Sequence, residues 1–270
     1  MQSKNRCIIF AAIKNVSLLE LFGQESHSGS GSFFDFFSLC SINYLYLRPD
    51  NLIEMQKVTV YVDGFNFYYG LKRKKLVDND WQRFYWIDFV KLFELFIRSD
   101  QIIHKVVYFT TPSLNEQKRN RQKLLLLANR LINKERFEVI EGKFYENELF
   151  CPICKSRYTK PEEKRTDVNI CAQMMRDCGL NKTDVLILVS ADSDLVPPLE
   201  LIREDHPAKK IKIYFPPDNF SNDLNNFMKA NKGKTVLLEN NKPKFFKSIM
   251  PDIVTKDGKS YTIPAKWKVI

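Results

Sequence analysis

Histidine is scarce in this 270-residue chain, with three copies at positions 27, 104 and 206. None falls beside the acidic residues that stand out below, which turns attention from imidazole to oxygen as the ligand type. No run of about 18 apolar residues occurs, so nothing reads as a membrane span. The glycine-rich phosphate loop G-x-x-x-x-G-K-[ST] is absent, which argues against a P-loop nucleotide hydrolase. Six cysteines, at 7, 40, 151, 154, 171 and 178, are too few for a disulfide scaffold. They read as reduced thiols of a cytoplasmic protein, with at most one metal clip among them.

What the chain does have is positive charge. The formal net charge is +10 and the pI is near 9.2. Such an excess suits an acidic partner, most often nucleic acid, although a mere surplus of lysine would give the same count. The length is enough for one large domain or two small ones with a real core. Residues 1–54 carry four basic and five acidic side chains, so the positive excess lies beyond them. They also hold "HSGSGSFFDFFSL", a Ser/Gly stretch beside a Phe cluster with no clean period. The opening "MQSKNRCIIFAAIKNVSLL" makes a poor signal peptide, because its apolar core is short, Lys14 interrupts it and no cleavage site follows. The expectation is a poorly structured N-terminal extension over 1–54, from a start codon set too early. Met55 then opens the folded unit, and a chain beginning there should fold and act like the whole.

From Met55 the pattern alternates. Val58–Val62 is a short β-branched run ending in Asp-Gly, which predicts a buried strand and a turn. Helices are expected over 66–74, 86–97, 115–133 and 166–178, the second being strongly amphipathic. Strands are expected over 105–110, 137–145, 185–189 and 210–215, with a polar loop holding "CPIC" after the third. Thr166 or Asp167 should cap its helix. Pro197 and Pro198 fit only the first turn of a helix starting near Asp194. Ser221 should cap a last short helix. Strand and helix in alternation predict an α/β fold with a mostly parallel sheet and helices on both faces, extending to about residue 240. Residues 241–270 are expected as a tail, packed on the domain or flexible.

In open α/β sheets, ligands bind outside the carboxyl ends of the strands. Asp63 closes the first strand, Asp192 and Asp194 follow the strand 185–189, and Asp167 opens the helix before it. Topology thus brings four carboxylates to one rim. At an effective dielectric of about 20, two like charges roughly 4 Å apart cost on the order of 4 kcal/mol, so something must offset the cluster. A hard divalent cation such as Mg²⁺ or Mn²⁺ would do so. On a basic protein, that arrangement fits metal-assisted phosphodiester hydrolysis. Each acid also has a plainer reading as a turn or helix cap.

The stretches "VYVDGFNFYYGL", "EEKRTDVNICAQMMRDC" and "LILVSADSDLVPPLELIRE" resemble the NYN domain, a PIN-like nuclease family that includes the LabA-like proteins. The resemblance covers about 55–240 and extends to the tail "YTIPAKW". It implies a PIN-like, Rossmann-like three-layer α/β/α sandwich and Mg²⁺- or Mn²⁺-dependent ribonuclease chemistry. Under it, Asp63 is the first metal acid and Asn66 its polar partner. Asp167 is the acid of the K-x-x-D element, and Asp192 and Asp194 are those of S-x-D-S-D. Some family members are regulatory, so a non-catalytic RNA-binding module with a metal-binding acidic pocket is the alternative.

Three weaker signals remain. Cys151 and Cys154 would supply half a zinc site, while Cys171 and Cys178 read as core thiols. Lys164 and Arg165 precede Asp167 and are best placed to grip the phosphates of single-stranded or structured RNA. Arg119 and Arg121 sit on a helix whose basic face is as easily a solvated one. Phe65, Phe67, Tyr68, Tyr69, Trp81 and Tyr85 lie near Asp63, either as core or as platforms for unpaired bases.

Overall fold

The computed structural model describes residues 55–269, and the expected extension over 1–54 lies outside the described residues. Six strands form one parallel sheet: β1 (Gln56–Asp63), β2 (Gln101–Thr110), β3 (Phe137–Glu141), β6 (Val185–Val189), β7 (Lys210–Phe215) and β8 (Thr235–Leu237). Their spatial order is β3-β2-β1-β6-β7-β8. The central strands β1 and β6 are buried nearly throughout, as strands covered on both faces must be.

Helices cover both faces, giving a three-layer α/β/α sandwich. Val58, Val60 and Val62 of β1 face one core, shared with α1 (Gly64–Val77), α2 (Phe89–Glu94) and α3 (Glu116–Asn133). Tyr61, pointing the other way, joins the second core. There it meets Ile170, Met174 and Cys178 of α4 (Thr166–Gly179), Leu199 and Ile202 of α5 (Val196–Asp205), and Leu224 and Phe227 of α6 (Asn222–Ala230). Alternate residues of one strand therefore serve opposite layers, the period-2 rule at work. Ser221 caps α6 through Leu224 N–H, and Pro197 and Pro198 occupy the first turn of α5, both as expected.

Four local readings change. The helix expected over 86–97 is confined to Phe89–Glu94. Tertiary bonds hold its amino-terminal part extended: Trp86 Nε1 donates to Pro251 O at 2.9 Å and Asp88 N to Ser248 O at 2.8 Å. The strand expected over 137–145 breaks at Gly142, whose N–H donates back to Thr110 O at 2.9 Å. There the chain leaves the sheet. The expected polar loop is instead an antiparallel hairpin of β4 (Lys143–Phe150) and β5 (Arg157–Lys164), with Cys151–Ser156 as its turn. Its residues carry too little alternation to announce a strand pair. Finally, α4 has no side-chain cap, because the Thr166 hydroxyl is engaged with Glu163 and Asp167 lies inside the first turn.

The segment 241–269 holds α7 (Lys242–Lys247), the hairpin β9 (Ile253–Lys256) and β10 (Lys259–Thr262), and a closing turn at Ala265–Trp267. Phe245, Met250, Val254, Ile263 and Trp267 are buried in the first core. Gln82 Nε2 donates to Lys266 O at 3.2 Å and Lys268 O at 3.1 Å, tying the end of the chain to the segment after α1.

Candidate active site

From β1 the chain runs outward through β2 to β3, and later from β6 through β7 to β8 in the other direction. The gap between the carboxyl ends of β1 and β6 is thus a topological switch point, where α/β sheets bind ligands. Asp63 ends β1 and is 2% exposed. Its Oδ1 accepts from the N–H groups of Phe65 at 3.1 Å and Asn66 at 3.0 Å, so Asp63 caps α1. The Asp-Gly pair is a direct entry into a helix, where the sequence pattern had indicated a turn. Asp63 Oδ2 accepts from Ser190 Oγ at 2.9 Å and from Asn66 Nδ2.

Ser190 is the tie across the gap. Its Oγ donates to Asp63 and accepts from Asp192 N at 3.1 Å. Asp192 Oδ1 in turn accepts from Asp194 N at 3.0 Å, turning the chain into the short 3₁₀ segment Ser193–Leu195 before α5. Burial raises the Asp63 carboxyl above its ordinary range; hydrogen bonds from Asn66 and Ser190 oppose this, and Asp192 adds to it.

Asp167 completes the group. Arg165, with φ of 81°, turns the chain so that Asp167 enters the first turn of α4. Its carboxyl is pushed up to about 6, first by burial and then by the charges of Asp192, Asp63, Glu163 and Asp194. Asp63, Asp167 and Asp192 therefore share one electrostatic neighbourhood, with Asp194 on its exposed rim. Two members escaped sequence reasoning. Ser190 sat unremarked inside the quoted "SADSD". Glu163 accepts from Thr111 Oγ1 at 3.0 Å and also bonds Thr166, which places a fifth carboxylate beside Asp167. The four-residue spacing from Glu163 to Asp167 was its only trace.

This donor set is all oxygen, which fits Mg²⁺ or Mn²⁺ and not a softer ion. Among the described residues no group of three or more His, Cys, Asp or Glu side chains stands ready to hold a metal ion. Mg²⁺ sites seldom need such a cage, since the ion keeps several waters and takes one or two carboxylates plus substrate phosphate.

Asp167 yields a test that needs no metal. Its raised pKa means that ionisation opposes folding above about pH 6 and ceases to matter below the unfolded carboxylate value near 4. Asp167→Asn in EDTA should therefore raise Tm at pH 7, and the gain should fade as pH falls from 6 to 4. For a half-exposed group, solvent screening leaves about 1 kcal/mol, or about 2–4 °C. Melting curves of both proteins at pH 4, 5.5 and 7 check this.

The other candidates scatter. Lys164 Nζ pairs with Glu162 at 3.0 Å. Arg165 donates to Tyr145 Oη at 2.6 Å and lies 5.6 Å from that ring's centre. Arg119 donates to Ser113 O at 3.3 Å. Arg121 lines a cavity beside Gly64, together with Phe65, Tyr68 and Tyr69. Phe67, Trp81 and Tyr85 are core. Cys151 and Cys154 sit in the β4–β5 turn, where the Ser156 hydroxyl, 2.9 Å from Cys154 Sγ, holds that thiol down to about 7. Among the described residues no further ligands join them. Cys178 is buried, whereas Cys171 is partly exposed, because the core face of α4 runs through Ile170, Met174 and Cys178.

A family model described as "NYN domain" matches residues 57–230. The 6-hydroxy-3-succinoylpyridine 3-monooxygenase HspA of Pseudomonas putida (strain DSM 28022 / S16) is 26% identical over 196 residues, 60% of this chain and 60% of that protein. The matched stretch spans less than two thirds of that relative. The crystal structure of a protein of unknown function from Vibrio parahaemolyticus RIMD 2210633 aligns with a TM-score of 0.44 at 18% identity, covering 68% of this chain and 93% of that one. No helix among the described residues is long and apolar enough to cross a membrane. With the switch-point acids already in view and more than half of the sequence matched, the chain belongs to the NYN domain family, a domain of the PIN-like nuclease superfamily.

Proposed function

We propose that this protein is a metal-dependent ribonuclease that hydrolyses RNA phosphodiesters at the β1–β6 switch point. The observation that carries the reading is the bond series Asp63–Ser190–Asp192, which ties the Asp63 carboxylate to the backbone of Asp192 across the gap between two strand ends. Asp63, Asp192 and Asp194, with Asp167, are the residues that would hold Mg²⁺ or Mn²⁺. The bound ion supplies positive charge against the phosphate oxygens and Lewis acidity toward water. Asp63 is held in one rotamer by its cap bonds and by Asn66, so its orientation is set before substrate arrives. Asp167, which burial and the charges of Asp192, Asp63, Glu163 and Asp194 push up, is the member whose ionisation a bound cation would favour most.

The basic surface holds the RNA. Lys118 and Arg121 lie in the wall beside Gly64, and among the described residues neither has an ion-pair partner. Lys164 and Arg165 are already engaged by Glu162 and Tyr145. Replacing Lys118 and Arg121 with Gln should therefore flatten the salt dependence of RNA binding by about 1.4 in log–log slope, at about 0.7 per phosphate contact on single strands. Replacing Lys164 and Arg165 with Ala should flatten it less. This order reverses the ranking taken from chain position alone. A larger loss of slope in the 164/165 variant would put the RNA on the hairpin side.

The relative named as a monooxygenase acting on a pyridine compound supports a second reading, in which the same rim serves a small heteroaromatic molecule. Incubation of the purified chain with labelled single-stranded RNA in Mg²⁺, Mn²⁺ or EDTA separates the two. Cleavage that EDTA stops and added cation restores supports the ribonuclease. Intact RNA under all three conditions contradicts it.

A further inference from the structure

Helix α1 carries two aromatic stripes. Phe67 and Leu71 point into the core and are nearly inaccessible. Phe65, Tyr68, Tyr69 and Lys72 recur at i, i+3, i+4 and i+7 and form a second stripe on another side. Three of these four, Phe65, Tyr68 and Tyr69, help to line a cavity of about 100 Å³ that opens beside Gly64, the residue after Asp63. The Phe65 and Tyr69 rings lie 11° from parallel with centres 6.1 Å apart, and Tyr68 stands edge-on to Tyr69 at 5.5 Å. Trp267 of the closing turn supplies a further aromatic wall.

The rest of the lining sets Leu125, Leu126 and Phe144 beside polar and positive side chains. Lys118, Arg121 and Gln122 come from the first turns of α3. Gln122 is fixed: its Nε2 donates to Thr110 Oγ1 at 2.7 Å and Thr111 O at 3.2 Å, and its Oε1 accepts from Ser113 N at 3.2 Å. The lining contains no carboxylate, although Gly64 directly follows Asp63. Flat aromatic walls beside unpaired cations match a ligand with a π face and an anionic group, which a purely apolar guest does not have. An apolar cavity of about 150 Å³ holds one benzene ring, so about 100 Å³ is the scale of a single ring and not of a fused pair.

We propose that this cavity is a base subsite that takes the pyrimidine ring of the nucleotide next to the scissile phosphate, with Lys118 and Arg121 on that nucleotide's phosphate. The proposal rests on the ribonuclease reading for its place in the reaction, but not for its binding chemistry. The ring would lie against the Tyr68–Tyr69 wall. A purine, with its second fused ring, is the larger guest and should fit less well. Cleavage should accordingly favour phosphodiesters flanked by a pyrimidine.

The test is a titration of the full chain in EDTA with uridine 5′-monophosphate, cytidine 5′-monophosphate, adenosine 5′-monophosphate and inorganic phosphate, read by tryptophan fluorescence. Both pyrimidine nucleotides should bind saturably and about tenfold more tightly than the adenine nucleotide, as one well-fitted stacking contact allows. Phosphate should leave the fluorescence unchanged. Trp267→Phe should remove the signal, since neither Trp81 nor Trp86 lines the cavity. Tyr69 is 44% exposed, so Tyr69→Ala should keep its Tm while weakening uridine monophosphate about fivefold, and Arg121→Gln should do likewise. No saturable pyrimidine binding, equal binding of adenosine monophosphate, or wild-type affinity in both variants would overturn the subsite. Metal-dependent RNA cleavage without pyrimidine binding would sink the subsite and leave the ribonuclease standing. Pyrimidine binding without any RNA cleavage would do the reverse.

Discussion

Asp192→Asn is expected to lower RNA cleavage by at least about a hundredfold, roughly 3 kcal/mol of transition-state stabilisation, with the fold intact. Asp192 is only partly buried, and its backbone N–H, not its carboxylate, makes the bond to Ser190. Asn keeps an oxygen for the Asp194 N–H, so the turn into α5 survives. What disappears is the charge. In EDTA the variant should melt no lower than the wild type, because Asp167 loses the neighbouring charge that raises its carboxyl most. Asp63→Asn should abolish cleavage too, but with a smaller gain in stability. Asp63 accepts four hydrogen bonds, and an amide nitrogen would face donors at Ser190 or Asn66. Single-turnover rates and melting curves for the pair separate these effects. Wild-type rates in Asp192→Asn would remove the acid cluster from the chemistry.

Gly64→Ala should be the most damaging conservative change near the site. A Cβ there would lie 2.5 Å from Phe109 O and 2.5 Å from a Tyr108 ring carbon, both held in the core. Alanine gains up to about 1 kcal/mol over glycine in a helix, but overpacking of this kind costs about 1–3 kcal/mol and more when backbone must move. The net should be a fall in Tm of several degrees and a loss of cleavage, since Asp63 is the adjoining residue. Gly179→Ala is the matched control. Nothing lies within 4 Å of its Cβ position, so it should leave Tm unchanged or slightly raised. Equal melting temperatures for Gly64→Ala and the wild type would show that the strand–helix junction yields more easily than the packing implies.

Much of the architecture was legible because local chemistry and tertiary demand agree along β1, β6 and β7, where apolar runs end at polar punctuation. The acids were legible for the same reason: strand ends in a parallel sheet share an edge, so Asp63 and Asp192 could be paired without coordinates. The failures have physical causes as well. Trp86 and Ile87 fit a helical period, yet hydrogen bonds to residues 248–251 hold them extended, and no local signal reports a partner about 160 residues away. The β4–β5 hairpin carries alternate charges with few β-branched residues, so it read as a loop. Ser190 looked like one more small residue in a turn, although its hydroxyl joins the two halves of the sheet. The aromatics after Asp63 could not be sorted from sequence. Only the orientation of α1 separates Phe67, in the core, from Tyr68 and Tyr69 in the cavity wall.

The most direct test is the cleavage rate of a labelled single-stranded RNA as Mn²⁺ is titrated into EDTA-treated wild type and Asp192→Asn, side by side. The expected result is a saturable rise in the wild type, reversed by EDTA, with a nearly flat line for the variant at equal folded concentration. Cleavage that ignores Mn²⁺, or that rises equally in both proteins, would contradict the claim that the switch-point carboxylates hold the cation that drives hydrolysis.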